Sequence, residues 1–213
     1  MINKIIHGDC IKVLKSMDED CVDMVFTDPP YNIKKKYDGY ADNLSPEEYK
    51  DWMSVVIKLS ERISRRGVIF YVAGKHTKMF FDLMPEAHLV VVHKRAIGAM
   101  SGNYFLQYHS MFSTVKPINK TKDLWNDVRL PGEGYYFREP RYDTPGLTGL
   151  ELTKKVIESF TNIGDLVLDP FMGTGTTAVA CIELKRRYIG IEQSQKYCDM
   201  AEERIKEINN AQK

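Results

Sequence analysis

The sequence predicts an α/β protein: one domain on a seven-stranded, mostly parallel sheet with helices on both faces. Three observations carry this reading. Seven short apolar runs have strand character, and most are separated by stretches of helical periodicity, the pattern of parallel strands joined by crossovers. The 213 residues are 43% hydrophobic, 11% aromatic and 28% charged, which excludes disordered, collagenous and low-complexity chains. Neither an internal repeat nor a linker divides the chain, so a single domain spanning 1–213 is expected.

Each element has a local cause. Residues 2–7 form an apolar run, followed by a helical turn around Ile11, Val13 and Leu14. The next strand, 22–27, stops at Asp28-Pro29-Pro30 because prolines cannot donate to a ladder. A polar loop with Lys34, Lys35, Lys36, Tyr37, Gly39 and Tyr40 leads to Ser45-Pro46-Glu47-Glu48. That tetrad has capping-box spacing with proline at the first helical position, so a helix should run from there to about Ser64, with Gly67 as its stop. Strands are predicted at 68–72, 89–93 and 110–115, with a short helix at 76–83 before Pro85. Residues 116–145 lack periodicity and read as irregular. Thr148 and Glu151 repeat the capping-box spacing for a helix to about Thr161. A strand at 166–169, a Gly/Thr loop, a helix near 177–184 and a strand at 188–192 follow. The final helix, from Ser194, carries apolar residues at Tyr197, Met200, Ala201, Ile205 and Ile208.

Bulk properties exclude several functions. With 30 Lys and Arg against 29 Asp and Glu, the net charge is +1, which argues against a polycationic tail. The first residues lack the apolar core of a signal peptide, and no run approaches the roughly 18 apolar residues of a membrane span. Cys10, Cys21, Cys181 and Cys198 form no C-x-x-C pair, which fits reduced cytosolic thiols. His7, His76, His88, His93 and His109 lack metal-ligand spacing, so no metal site is expected. A cytoplasmic location follows.

Two motifs carry chemistry. Asp169-Pro170-Phe171-Met172-Gly173-Thr174-Gly175-Thr176-Thr177-Ala178 follows a strand and opens a helix. Its glycines admit close ligand approach, and the helix start supplies unpaired N–H donors. Glu192, ending the next strand, is placed to bind the two hydroxyls of a ribose. An adenosine-containing cofactor is implied. The letters also satisfy a dinucleotide fingerprint, and a ligand-free turn fits them too. The Asp169 carboxylate, suited to an ammonium group and repulsive to a pyrophosphate, favours a different adenosine cofactor. The second motif, Asp28-Pro29-Pro30-Tyr31, offers a carboxylate, a rigid backbone carbonyl and an aromatic face at a strand end. Those groups grip the exocyclic amino group of a planar base, although a plain turn uses the same residues.

Together the motifs resemble the amino-DNA methyltransferases that use S-adenosylmethionine, over nearly the whole chain. Supporting stretches are His7-Gly8-Asp9-Cys10, Leu44-Ser45-Pro46-Glu47-Glu48-Tyr49 and Tyr188-Ile189-Gly190-Ile191-Glu192. The catalytic motif precedes the cofactor motif, as in the permuted β group, and the end of the chain should return beside residues 2–7. The resemblance implies a Rossmann-like methyltransferase fold whose seven strands include a last, antiparallel one.

The resemblance also implies roles. Asp28 and the Pro29 carbonyl would accept the two amino N–H groups, Pro30 would stiffen the turn, and Tyr31 would stack on a base flipped from duplex DNA. Direct in-line transfer to that nitrogen would follow. Asp169, Phe171, Gly173, Gly175, Thr176 and Thr177 would surround the methionine part of S-adenosylmethionine, Glu192 its ribose, and Asp9 and Cys10 its adenine. Two stretches depart from the family pattern: Thr144-Pro145-Gly146-Leu147-Thr148-Gly149 lacks a Lys-Pro pair, and His93-Lys94 replaces a Trp-x-Lys.

An initial Asp resembles the adenine-N6 enzymes more than the cytosine-N4 enzymes, which more often begin with Ser. Cytosine-N4 methylation is the alternative. An inactive DNA- or partner-binding relative of the fold is another, and an RNA or protein-amide methyltransferase, whose motif more typically begins with Asn, a third. Sequence recognition is expected in the region 116–146, where Lys116, Lys120, Lys122, Arg129, Arg138 and Arg141 alternate with Trp125, Tyr135, Tyr136 and Tyr142. Lys34, Lys35 and Lys36 could close over the flipped base. In both places an ordinary solvated loop is the simpler reading. Expected partners are double-stranded DNA, with a second copy of the chain and a cognate restriction endonuclease as further candidates and no membrane.

Overall fold

The structure is a computed structural model and describes residues 2–34, 36–37, 40–93, 100–101, 104–105, 108–126 and 149–211. In chain order the elements are β1 (Lys4–His7), α1 (Cys10–Ser16), β2 (Met24–Thr27), β3 (Lys36–Tyr37), β4 (Tyr40–Ala41), α2 (Pro46–Ile63) and β5 (Val68–Val72). A 3₁₀ turn (Gly74–His76) leads into α3 (Thr77–Leu83), then β6 (His88–His93), β7 (Met100–Ser101), β8 (Tyr104–Phe105), β9 (Tyr108–Ser113) and β10 (Leu124–Trp125). The chain ends with α4 (Leu150–Phe160), β11 (Leu166–Asp169), α5 (Thr176–Glu183), β12 (Arg187–Glu192) and α6 (Gln195–Ala211).

Eight strands form the main sheet in the order β1-β12-β11-β2-β5-β9-β6-β10. Among the described strands of this sheet only β9 runs antiparallel to its neighbours. β2, β5 and β11 are buried at every position, as strands covered on both faces must be. Their side chains divide by alternation. Met24, Phe26, Ile69 and Tyr71 join the layer packed with Leu152, Val156, Ala180 and Ile205 of α4, α5 and α6. Val25, Val68, Phe70 and Val72 join Leu14, Met53, Val56 and Phe80 of α1, α2 and α3.

Two expectations are corrected. The sheet has eight strands rather than seven, because β10 lies inside the stretch read as irregular and pairs Leu124 with Val91 and Trp125 with Val92. What draws it in is Trp125, which is 1% exposed, packs near Phe160 and donates its indole N–H to the Lys122 carbonyl at 2.6 Å. A buried indole also cannot serve as the DNA-facing aromatic predicted for it. The second correction concerns α4, whose cap is Gly149 with no side-chain hydrogen bond, so no capping box starts this helix. At α2 the box forms: Ser45 accepts from the Glu48 N–H, and Glu48 accepts from the Ser45 N–H.

The permuted order is visible in the sheet. β1 pairs in parallel with β12, from Lys4 beside Ile189 to His7 beside Glu192, so the two ends of the chain meet. From β11 the chain winds outward to β12, whereas from β2 it winds the other way to β5. β11 and β2 are neighbours, and the crevice between their carboxyl ends is therefore the topological switch point where such sheets bind ligands.

Candidate active site at the carboxyl edge

Both motifs open from that crevice. β11 ends at Asp169, which is 4% exposed and accepts three hydrogen bonds: Thr27 Oγ1 at 2.7 Å, the Phe171 N–H at 3.0 Å and Thr177 Oγ1 at 2.6 Å. Burial pushes its carboxyl above the usual range, while the Thr177, Thr27 and Phe171 donors oppose that rise. Asp169 is thus a fastening beneath the loop and not a group facing out of it.

The loop bends through left-handed backbone at Gly173, φ +53°, and Gly175, φ +87°. A Cβ on Gly175 would lie 3.0 Å from Ala201 Cβ of α6, whereas one on Gly173 would meet nothing within 4 Å among the described residues. The open space is on the Gly173 side. Gly190 of β12 makes room for Met172, whose side chain would lie 2.2 Å from any Cβ there. Glu192, half-buried, accepts from the Gly173 N–H at 2.9 Å and the Ser194 N–H at 2.8 Å, one bond to each oxygen. Burial raises its carboxyl and these N–H groups lower it. Each oxygen keeps acceptor capacity for a ribose hydroxyl.

Beneath the loop lies a residue that sequence reasoning missed. Arg204 of α6, 4% exposed, donates to Thr176 Oγ1 at 3.1 Å and to the Thr174 carbonyl at 3.3 Å. Its signal was available, since a charge at 204 interrupts the apolar stripe of the last helix. At the end of β1, Gly8 donates to the Glu192 carbonyl at 2.9 Å and Asp9 caps α1 by accepting from the Lys12 N–H. Cys10 is buried beside them, and burial, with Asp9 next, pushes its thiol up to about 12. It remains a neutral, apolar wall.

Across the crevice, β2 delivers Asp28, half-exposed, then Pro29, Pro30 and Tyr31. The Tyr31 hydroxyl donates to Asp28 Oδ1. Asp42, 2% exposed, receives the Asn32 and Ile33 N–H groups at 2.7 and 2.8 Å, one on each oxygen. Aromatic rings connect the two loops: Phe171 to Trp52 at 5.5 Å, Trp52 to Tyr49 at 5.9 Å, and Tyr49 to His76 at 4.9 Å.

The structure brings Asp9, Cys10, Asp28 to Tyr31, the Asp169–Thr177 loop and Glu192 to one edge. Lys34 is exposed just beyond Tyr31. Only the backbone of Lys36 is described, and Lys35, Arg129, Arg138 and Arg141, with residues 144–148, lie outside the described residues. Lys116 is not brought to the site. β9 runs antiparallel, Thr114 bonds Val68 at the start of β5, and Ile118 bonds Ser159 at the end of α4, which places Lys116 at the amino edge. Lys120 and Lys122 are exposed between that edge and β10.

A Rossmann-like sheet with a glycine loop, a carboxylate at the end of the following strand and an Asp-Pro-Pro-Tyr turn side by side at its switch point has the build of a methyltransferase. The chain belongs to the N6/N4 methyltransferase family of DNA methylases, whose model matches residues 22–124 and 119–203. It is similar to the DNA adenine methyltransferase YhdJ of Escherichia coli (strain K12), 28% identical over 94% of this chain and 82% of that protein. The crystal structure of the M1.HpyAVI–SAM complex aligns with 94% of this chain and 98% of its own at 25% identity, TM-score 0.64. The cytosine-N4-specific PvuII DNA methyltransferase aligns with 97% of this chain and 90% of its own at TM-score 0.71 and 17% identity, a likeness of fold. Among the described residues no helix is long and apolar enough to cross a membrane.

Proposed function

We propose that this DNA methyltransferase acts on the N6 amino group of adenine in double-stranded DNA. The observation that carries the reading is the acidic turn Asp28-Pro29-Pro30-Tyr31 set beside the glycine loop at the switch point. The similarity to an adenine methyltransferase over most of both chains supports the choice of base.

The residues fit S-adenosylmethionine. Among the described residues Gly173 borders open space, Thr174 Oγ1 is buried without a hydrogen-bond partner, and Glu192 retains acceptor capacity. Gly173, Gly175, Thr176, Thr177 and Phe171 would hold the methionine part, Glu192 the ribose, and Asp9 and Cys10 the adenine. The cofactor supplies a methyl group on a sulfonium, which needs alignment more than activation. Asp28 and the Pro29 carbonyl accept both N–H groups of the target and leave its lone pair as the nucleophile. Tyr31 stacks on the flipped base, a contact worth roughly 1–3 kcal/mol. Lys34 meets the phosphate backbone beside the extruded nucleotide.

Incubation with labelled S-adenosylmethionine and mixed-sequence duplex DNA, followed by nucleoside analysis, tests the reading. N6-methyladenine is expected. N4-methylcytosine would move the target to cytosine, and cofactor binding without transfer would leave only a binding role.

A further inference from the structure

Pro29 and Pro30 have no N–H, so neither of the two central residues of the turn can donate a backbone hydrogen bond. Its carbonyls are held from outside instead. Pro30 C=O accepts from the Tyr49 hydroxyl at 2.8 Å, Tyr31 C=O from His76 Nε2 at 2.6 Å, and Asn32 C=O from Lys75 Nζ at 2.9 Å. Three successive carbonyls are thus tied to α2 and the 3₁₀ turn after β5. Among the described residues the Pro29 carbonyl receives no hydrogen bond. Tyr49 is 1% exposed and its ring lies 4.9 Å from that of His76 at 35°, so the two donors brace each other.

From this pattern we infer that His76 and Tyr49 are positioning residues for methyl transfer, turning the Pro30 and Tyr31 carbonyls away so that Pro29 C=O alone faces the target amino group. The inference rests on the assignment of Asp28 to Tyr31 as the amino-group site. Burial lowers the His76 pKa, which favours the neutral ring, with Nε2 bearing the proton that Tyr31 receives. Neither residue needs to touch base or cofactor.

Steady-state kinetics on the whole protein, with cofactor affinity by calorimetry and thermal unfolding, tests this. Tyr49→Phe and His76→Ala should lower kcat by about tenfold to a hundredfold while cofactor Kd stays within about twofold. His76→Gln, which can donate to the same carbonyl, should recover kcat to within about threefold of the unsubstituted protein. A wild-type kcat in His76→Ala, or no recovery in His76→Gln, would overturn the inference. So would equal losses of kcat, cofactor affinity and unfolding temperature in Tyr49→Phe, which mark a general structural role. Asp28→Ala in the same assay separates the two levels: turnover retained there removes the site assignment itself, whereas turnover lost there with His76→Ala unaffected removes only the positioning role.

Discussion

The Thr27 hydroxyl donates to Asp169 Oδ1 at 2.7 Å inside the protein, joining residues 142 positions apart. Thr27 immediately precedes the Asp28–Tyr31 turn proposed to hold the target amino group, and Asp169 begins the glycine loop. One buried hydrogen bond therefore fastens the two loops to each other where the paired strands β2 and β11 end.

Thr27→Val keeps the shape and removes the donor. Asp169 is then left with Thr177 and the Phe171 N–H, its carboxyl rises further, and the unmet acceptor costs about 1–3 kcal/mol. The expected result is a lower unfolding midpoint with weaker cofactor binding, and Thr27→Ser should restore both. Calorimetric titration of the three proteins decides it. Unchanged affinity in Thr27→Val would mean that the loops are set independently.

The glycine loop predicts a split between stability and binding. Gly173→Ala and Gly175→Ala both place a Cβ on left-handed backbone, at roughly 1–2 kcal/mol each. Gly175→Ala adds the 3.0 Å approach to Ala201, so it should unfold at the lower temperature. Gly173→Ala meets no atom of the described residues within 4 Å, and its methyl group instead occupies the space assigned to cofactor. It should lose the larger share of cofactor affinity for the smaller loss of stability. Melting curves and cofactor titrations on the two variants are the measurement.

Much of this arrangement was legible in the chain because it is local. Strands ending at Asp28 and Asp169, the Ser45–Glu48 box, and glycines in a strand-to-helix loop all declare themselves within a few neighbouring residues. What acts through space did not. Thr27, Asp42 and His76 have unremarkable neighbours, and their partners are chosen by the packing of separate elements. β10 was invisible because two residues show no periodicity; burial of Trp125 creates it.

His76 predicts an acid sensitivity. Its folded pKa lies below the ordinary 6.5, because burial and, to a lesser degree, Lys75 oppose the charge, while the Tyr31 carbonyl and Asp42 favour it. The unfolded chain therefore binds more protons between the folded pKa and 6.5, so this contribution to stability is complete above that window and is lost as pH falls through it. Asp169 and Glu192, with raised carboxyls, act in the opposite direction. Comparing the unsubstituted protein with His76→Gln cancels them. From about pH 7.5 to pH 5.5 the former should lose more unfolding temperature than the variant, and parallel losses would refute the assignment.

The near-neutral total of +1 limits how DNA can be held, because little general attraction is available away from local clusters. Lys34 follows Tyr31 at the carboxyl edge, whereas Lys116 sits at the amino edge beyond β9. The two lysines are alike in charge and exposure and differ in place. If the phosphate backbone crosses the carboxyl edge, Lys34→Ala should weaken DNA binding and reduce the slope of log K against log salt by about one. Lys116→Ala should leave both unchanged. A salt titration of fluorescent duplex binding to each variant gives the answer, and equal effects at the two positions would mean that the DNA path reaches both edges of the sheet.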